Sequence, residues 1–270
     1  MFDRKLFNDL LARMKTMQIV AIGGGELKDR ETLRIDRFIV ELTGKRKPKA
    51  LFIPTASGDA EGYCNTFDRI YGELLGCRTD HLQLLSCAED RSQAEDKILG
   101  SDLIYVGGGN TLRMMKQWRR CGVDYMLMTA GKQGAVLAGL SAGAICWHDF
   151  GHSDSRSFAE KNSWSFIRVR GLGLCKGIFC PHLDAERRKK PFAQMILRYG
   201  GVGIACDNNA AVWYNNGKAI AKASKRKAAV HVFRRMGSKI MTEKYEDGEE
   251  VQIANITLHL TASPLRARVR

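Results

Sequence analysis

Short runs of consecutive apolar residues, each ended by glycine, proline or a polar turn, alternate along this chain with stretches whose apolar residues recur at helical spacing. The runs fall at residues 18–22, 49–53, 102–106 and 135–140, and the alternating stretch 80–85 reads as a further strand. Their length and β-branched content predict strands buried on both faces. Between them, residues 31–42, 62–75, 91–99, 112–120 and 123–130 carry the spacing of helices, with Gly131 expected to close the last. Strands alternating with helices in this way predict an α/β fold whose mostly parallel sheet is covered by helices on both faces. Ligands on such sheets collect at the carboxyl ends of the strands. Three glycine-rich strand ends converge on that rim: Gly23-Gly24-Gly25, Gly107-Gly108-Gly109 and the stretch 139–143.

Beyond Trp147 the pattern changes. Residues 148–164 are polar and read as an active-site loop. An apolar run then leads to Cys180-Pro181-His182, followed by a basic amphipathic helix over 185–199 and a short strand, 203–206, entering Asp207-Asn208-Asn209. Short strands are expected at 210–214, 219–223 and 228–233, and Asn215-Asn216-Gly217 is a hairpin turn signal. These strands predict a small mixed β edge on the C-terminal side of one α/β domain spanning 1–270. A short amphipathic helix over 1–16 precedes it, and a basic tail from Ser263 follows.

The stretch Gly139-Leu140-Ser141-Ala142-Gly143 is the pattern G-x-S-x-G between a buried strand and the start of a helix. Such a turn is tight, so small neighbours are required, and it stands the serine hydroxyl at a strand's carboxyl end. A serine nucleophile needs a base, a group that orients the base, and donors for the oxyanion. Of the six histidines, His81, His231 and His259 lie in strand-like segments and read as structural, whereas His182 follows a proline at a strand end and suits the base. His148 and His152 stand four residues apart. Asp149 replaces the glutamate of the zinc-protease motif and Gly151 breaks the helix, so the loop reading is preferred and no metal is expected. The stretch 107–111 lacks both the Lys-Ser/Thr ending of a phosphate loop and the spacing of a dinucleotide fold. Its glycines suit a backbone N–H aimed at an oxyanion instead.

Composition narrows the class without changing the fold. The chain has 270 residues, 44% hydrophobic and 27% charged, which is ordinary for a globular protein. No run approaches the length of a membrane span, and the N-terminus lacks the apolar core of a signal peptide. The eight cysteines form no C-x-x-C pair and read as buried, reduced thiols of a cytoplasmic protein. The formal charge of +14 is spread over small clusters without any nucleic-acid-binding motif, so nucleic acid is not an expected partner; the field would draw anionic substrates.

In order along the chain, Gly107-Gly108-Gly109-Asn110-Thr111, Gly139-Leu140-Ser141-Ala142-Gly143-Ala144, Pro181-His182 and the stretch 203–210 together resemble the peptidase E family. That family comprises aspartyl dipeptidases and the related cyanophycinases, on a class I glutamine amidotransferase-like fold. The resemblance implies a serine peptidase with Ser141 as nucleophile, His182 as base, and the N–H groups of Gly109 and Ala142 as oxyanion donors. No cofactor is implied. The family's third member is an acid at the position of Asn208, preceded here by Asp207; both stay open as the orienting group. For a substrate with an N-terminal Asp, the resemblance implies Arg188, with Arg187 beside it, as the cation for the side-chain carboxylate, and Asp154 for the free amine. A β-aspartyl or cyanophycinase-like hydrolase and a catalytically weakened binding protein are the alternatives. The sequence leaves open whether the chain forms a homodimer.

Overall fold

The computed structural model describes residues 17–85, 90–158 and 165–253. The expected helix over 1–16, His259 and the basic tail from Ser263 lie outside the described residues. Five parallel strands make up most of the first sheet: β1 (Gln18–Ile22), β2 (Lys49–Ile53), β3 (Arg78–His81), β4 (Leu103–Val106) and β5 (Val136–Leu140). With the antiparallel hairpin of β10 (Ala210–Asn215) and β11 (Lys218–Ala223) they make seven strands in the order β11-β10-β1-β5-β4-β2-β3. Asn216 and Gly217 both take positive φ between β10 and β11, the backbone that a two-residue hairpin requires.

The alternation of side chains decides what each face covers. Val20 and Ile22 pack with Phe52, Tyr105 and Ala138 under α1 (Leu33–Glu41) and α2 (Glu61–Phe67). Ile19, Ala21, Leu51, Ile104 and Leu137 face the opposite way, against α4 (Thr111–Cys121) and α5 (Val123–Lys132). The expected helix over 62–75 is α2 continued by a wider π-type turn, Asp68–Leu74. α5 runs one residue past Gly131, the glycine expected to end it, and the positive-φ glycine beyond its end is Gly134. α3 (Arg91–Leu99) carries a capping box built by Asp90 and Gln93.

A second, six-stranded sheet is the part the linear pattern hid. It comprises β6 (His148–Ser153), β7 (Ile167–Arg170), β8 (Cys175–Cys180), β9 (Val202–Cys206), β12 (Val230–Met236) and β13 (Lys239–Tyr245), in the order β13-β12-β9-β8-β6-β7. Its first strand corrects the loop expected over 148–164: His148 and His152 are fully buried. The ring of His148 spans Ala144 O at 3.0 Å and the Tyr214 hydroxyl at 2.8 Å, tying the segment after Ser141 to β10. Satisfied polar groups of this kind make a polar sequence a core strand. One side of the sheet shares the core of the first sheet through Phe179, Ile204, Val230 and Val232. The other is capped by α7 (Lys189–Tyr199) through Phe192 and Ile196. α7 begins later than expected because Glu186 and Arg187 both take positive φ.

Candidate active site

Register brings the glycine-rich ends together. Ile22 pairs with Leu140, and Val106 with Gly139, so the loops after β1, β4 and β5 leave one rim side by side. Ser141 follows β5 with φ 55° and ψ −107°, a left-handed backbone that a residue with a side chain adopts only under constraint. A Cβ on Gly139 would collide with the carbonyl of Gly143, and one on Gly143 with the carbonyl of Val106. Both glycines of the motif are therefore demanded by close backbone approach. Ser141 N–H donates to Ile22 O at 3.0 Å, and the short α6 (Ala142–Ile145) starts directly after the serine.

Ser141 Oγ lies 2.7 Å from Nε2 of His182, and Nδ1 of the same ring lies 2.8 Å from Oδ1 of Asn208. An amide oxygen accepts, so Nδ1 carries the hydrogen and Nε2 is left to accept from the serine hydroxyl. Burial pushes the His182 ring below its ordinary value, which holds it neutral and able to take a proton. The bond to Asn208 opposes that shift, Arg188 adds to it, and Glu186 and Asp154 oppose it. Asn208 is itself fixed from behind: its backbone N–H donates to Asp184 Oδ1 at 2.9 Å. Gly24 seals this arrangement, because a Cβ there would overlap both Asn208 Oδ1 and the His182 ring.

Of the two acids left open by the sequence, Asp207 points elsewhere. Its Oδ2 accepts from Ala229 N–H at 3.1 Å and lies 3.2 Å from Nε2 of His231. Successive residues leaving a strand project to opposite sides, so Asp207 and Asn208 cannot share one partner.

Gly109 has φ +135°, and a Cβ there would strike the carbonyl of Ala56, which also accepts from Asn110 N–H at 2.8 Å. The loop is braced by Asn110 Nδ2 donating to Ser155 O at 3.2 Å and Arg113 donating to Ala56 O at 3.1 Å. Gly108, Gly109, Ser141 and His182 line a cleft of about 380 Å³, completed by Gly25, Glu26, Leu27, Lys28, Gly62, Tyr63, Thr66 and Leu140. A larger groove of about 530 Å³ lies between α1 and the β11 side and contains neither the serine nor its histidine.

Arg188 and Asp154 are brought together, but to each other. The Arg188 side chain is 1% exposed and sits 3.4 Å from Asp154 Oδ2; it also pairs with Glu186 at 2.5 Å and donates to His152 O at 2.9 Å. Neither residue lines the cleft. Arg187 is exposed. Gly24, Asp184 and the cleft-lining Glu26, Lys28, Tyr63 and Thr66 were not among the expected site residues. The glycine run 23–25 was the one signal pointing to that loop.

Residues 19–222 match the model of Peptidase family S51. This chain belongs to that family. It is therefore a serine-type peptidase, and the peptidase E resemblance read from its motifs is correct. The uncharacterized peptidase YgaJ of Bacillus subtilis is 34% identical over 215 residues, covering 78% of this chain and 89% of that protein. The uncharacterized peptidase Lmo0363 of Listeria monocytogenes is 25% identical over 175 residues, covering 63% and 84%. Among solved structures, a peptidase from an acI-B1 actinobacterium superposes with TM-score 0.68 at 18% identity, covering 90% of this chain and all of that one. A putative peptidase E from L. monocytogenes superposes with TM-score 0.58 at 21% identity, covering 78% and 98%. These two establish the shared α/β fold. No helix among the described residues is long and apolar enough to cross a membrane.

Proposed function

We propose that this protein hydrolyses short peptides through an acyl-enzyme on Ser141. Ser141 Oγ attacks the scissile carbonyl as His182 Nε2 takes its proton, and Asn208 Oδ1 holds the ring through Nδ1–H. The N–H groups of Gly109 and Ala142 receive the oxyanion. His182 then protonates the departing amine, and a water activated by the same ring releases the acyl group. The observation that carries this reading is the 2.7 Å contact between His182 Nε2 and a serine held at positive φ.

The finer reading is a preference for small acidic peptides beginning with Asp. The chain's charge of +14 supports it, because a basic field concentrates anionic substrates. A cytoplasmic setting agrees with the thiols, which are free at every described cysteine. Asn208 favours one second reading, a weakened hydrolase that serves as a binding protein, since an amide does not neutralise an imidazolium as a carboxylate does. Hydrolysis of Asp-Xaa, isoaspartyl and Asp-Arg peptides by wild type and Ser141→Ala tests these together. Turnover lost in the variant supports the peptidase; equal turnover in both removes Ser141 from the reaction. Binding without turnover in wild type supports the second reading.

A further inference from the structure

The charges expected to recognise the substrate, on Arg188 and Asp154, neutralise each other outside the cleft. The cleft over Ser141 has its own. Among the described residues, and apart from His182, the charged side chains lining it are Glu26 and Lys28. Both are exposed, and neither side chain has a hydrogen-bond or ion-pair partner among the described residues. Unpaired opposite charges beside a nucleophile call for a ligand that carries both signs.

The loop that bears them is fixed. Leu27, between the two, is buried in the core beneath β1. The turn Leu27–Asp29 is a 3₁₀ helix. Glu26 N–H donates to Glu31 Oε2 at 2.9 Å, while its carbonyl accepts from Asp29 and Glu31 at 3.2 Å each. Gly25, with φ +120°, turns the chain from the strand onto this loop. A 3₁₀ helix rises roughly 2.0 Å per residue, so the two backbone positions are separated by roughly 4 Å along its axis. One extended peptide residue spans roughly 3.5 Å. The spacing suits an amine and a carboxylate on the same residue or on neighbouring residues of a short peptide. Glu26 also acts on the interior of the cleft: burial drives the Tyr63 hydroxyl up to about 12, with the charges of Asp36 and Glu26 adding to it. That hydroxyl accepts from Gly108 N–H at 3.5 Å, on the loop that would hold the oxyanion.

We propose that Glu26 and Lys28 determine specificity, Glu26 holding the free α-amine of a short peptide and Lys28 a carboxylate of the same molecule. This rests on the peptidase reading of Ser141. The carboxylate comes either from the side chain of an N-terminal Asp or from the peptide's own C-terminus, and the two are separable by substrate.

The test measures kcat and KM for Asp-Xaa, Asn-Xaa and Ala-Xaa dipeptides, each free, N-acetylated or C-amidated, with wild type, Glu26→Gln and Lys28→Met. Thermal midpoints establish that the variants fold. A charge-assisted contact predicts a loss of about tenfold or more in kcat/KM, chiefly through KM. N-acetylation should impose this loss on wild type, and Glu26→Gln should impose it on free peptides while adding nothing for acetylated ones. A Lys28→Met loss confined to Asp substrates assigns the side-chain carboxylate; one confined to free C-termini and abolished by amidation assigns the terminus. Folded variants within about twofold of wild type on every substrate would overturn the assignment while leaving the Ser141 chemistry standing. A wild type that cleaves no member of the panel overturns the short-peptide reading itself.

Discussion

Asn208→Asp restores a carboxylate where an amide now holds the histidine. The amide oxygen lies 2.8 Å from His182 Nδ1, so the substitution changes charge with almost no change in shape. Burial first, and Arg188 after it, depress the His182 ring; Asn208's hydrogen bond, Glu186 and Asp154 counter them. An opposite charge at hydrogen-bond distance raises a histidine by roughly 1–3 pH units, and each unit is ~1.4 kcal/mol. The carboxylate of Asp184, which accepts from the backbone of residue 208, repels a second negative charge and keeps the effect toward the lower end. The base must be neutral in the free enzyme, so activity is lost as pH falls through its pKa. Raising that pKa moves the acid limb of the kcat/KM profile upward by roughly one unit or more. On the alkaline plateau the developing imidazolium is better stabilised, and kcat/KM rises by about tenfold. The assay is kcat/KM for a dipeptide substrate across pH 4–9, wild type against variant. An acid limb that stays in place or moves downward would refute the assignment of Asn208 as the orienting group.

Gly24→Ala forces a methyl into Asn208 and the His182 ring, and a displacement of about 1 Å predicts a loss of about 100-fold in kcat with the fold retained by circular dichroism. Asp184→Ala removes the acceptor for Asn208 N–H; one hydrogen bond at an exposed site predicts a fall in kcat of about two- to tenfold, read in initial rates. Asp36 is fully buried against Thr32 and Tyr71, and burial raises its carboxyl to about 7. The folded state thus holds a proton that the unfolded chain releases above about pH 4, so this group lowers stability as pH rises from about 4 to about 7. Asp36→Asn should stabilise the protein by up to ~4 kcal/mol at pH 8 and by almost nothing at pH 4 in urea unfolding. His148 and His152 act oppositely: burial lowers both to about 3, so their contribution is full above about 6.5 and drains away as pH falls from 6.5 toward 3. His148→Gln should flatten that acid-side loss in the same titration.

The inner parallel strands of the first sheet were readable because each is a short apolar run ended by a turn residue, and the serine turn because close approach leaves only small residues around it; the edge strand β3, Arg-Thr-Asp-His, lies two residues before the 80–85 expected for it because its polar letters carry no such run. His182 was readable from its proline and its place at a strand end. The second sheet was not, because β6 is written in polar letters: His148 is a core residue only by virtue of Ala144 O, on the short helix before it, and the Tyr214 hydroxyl, 66 residues away on another strand. The choice between Asp207 and Asn208 was not readable either. Adjacent residues face opposite sides, and only the strand's orientation says which side holds His182. Arg188 looked like a free cation on a basic helix. The left-handed residues Glu186 and Arg187 instead fold an acid back onto its buried guanidinium.

The central claim is that Ser141 is a nucleophile activated by His182. Labelling with a fluorophosphonate, in which the serine oxygen displaces fluoride at phosphorus, tests it directly when followed by peptide mapping across pH. The account predicts a single adduct on Ser141, formed at a rate that falls as the medium is acidified through the His182 pKa, and lost in His182→Ala. A folded protein left unlabelled at Ser141, or labelled there at the same rate with and without His182, would contradict it.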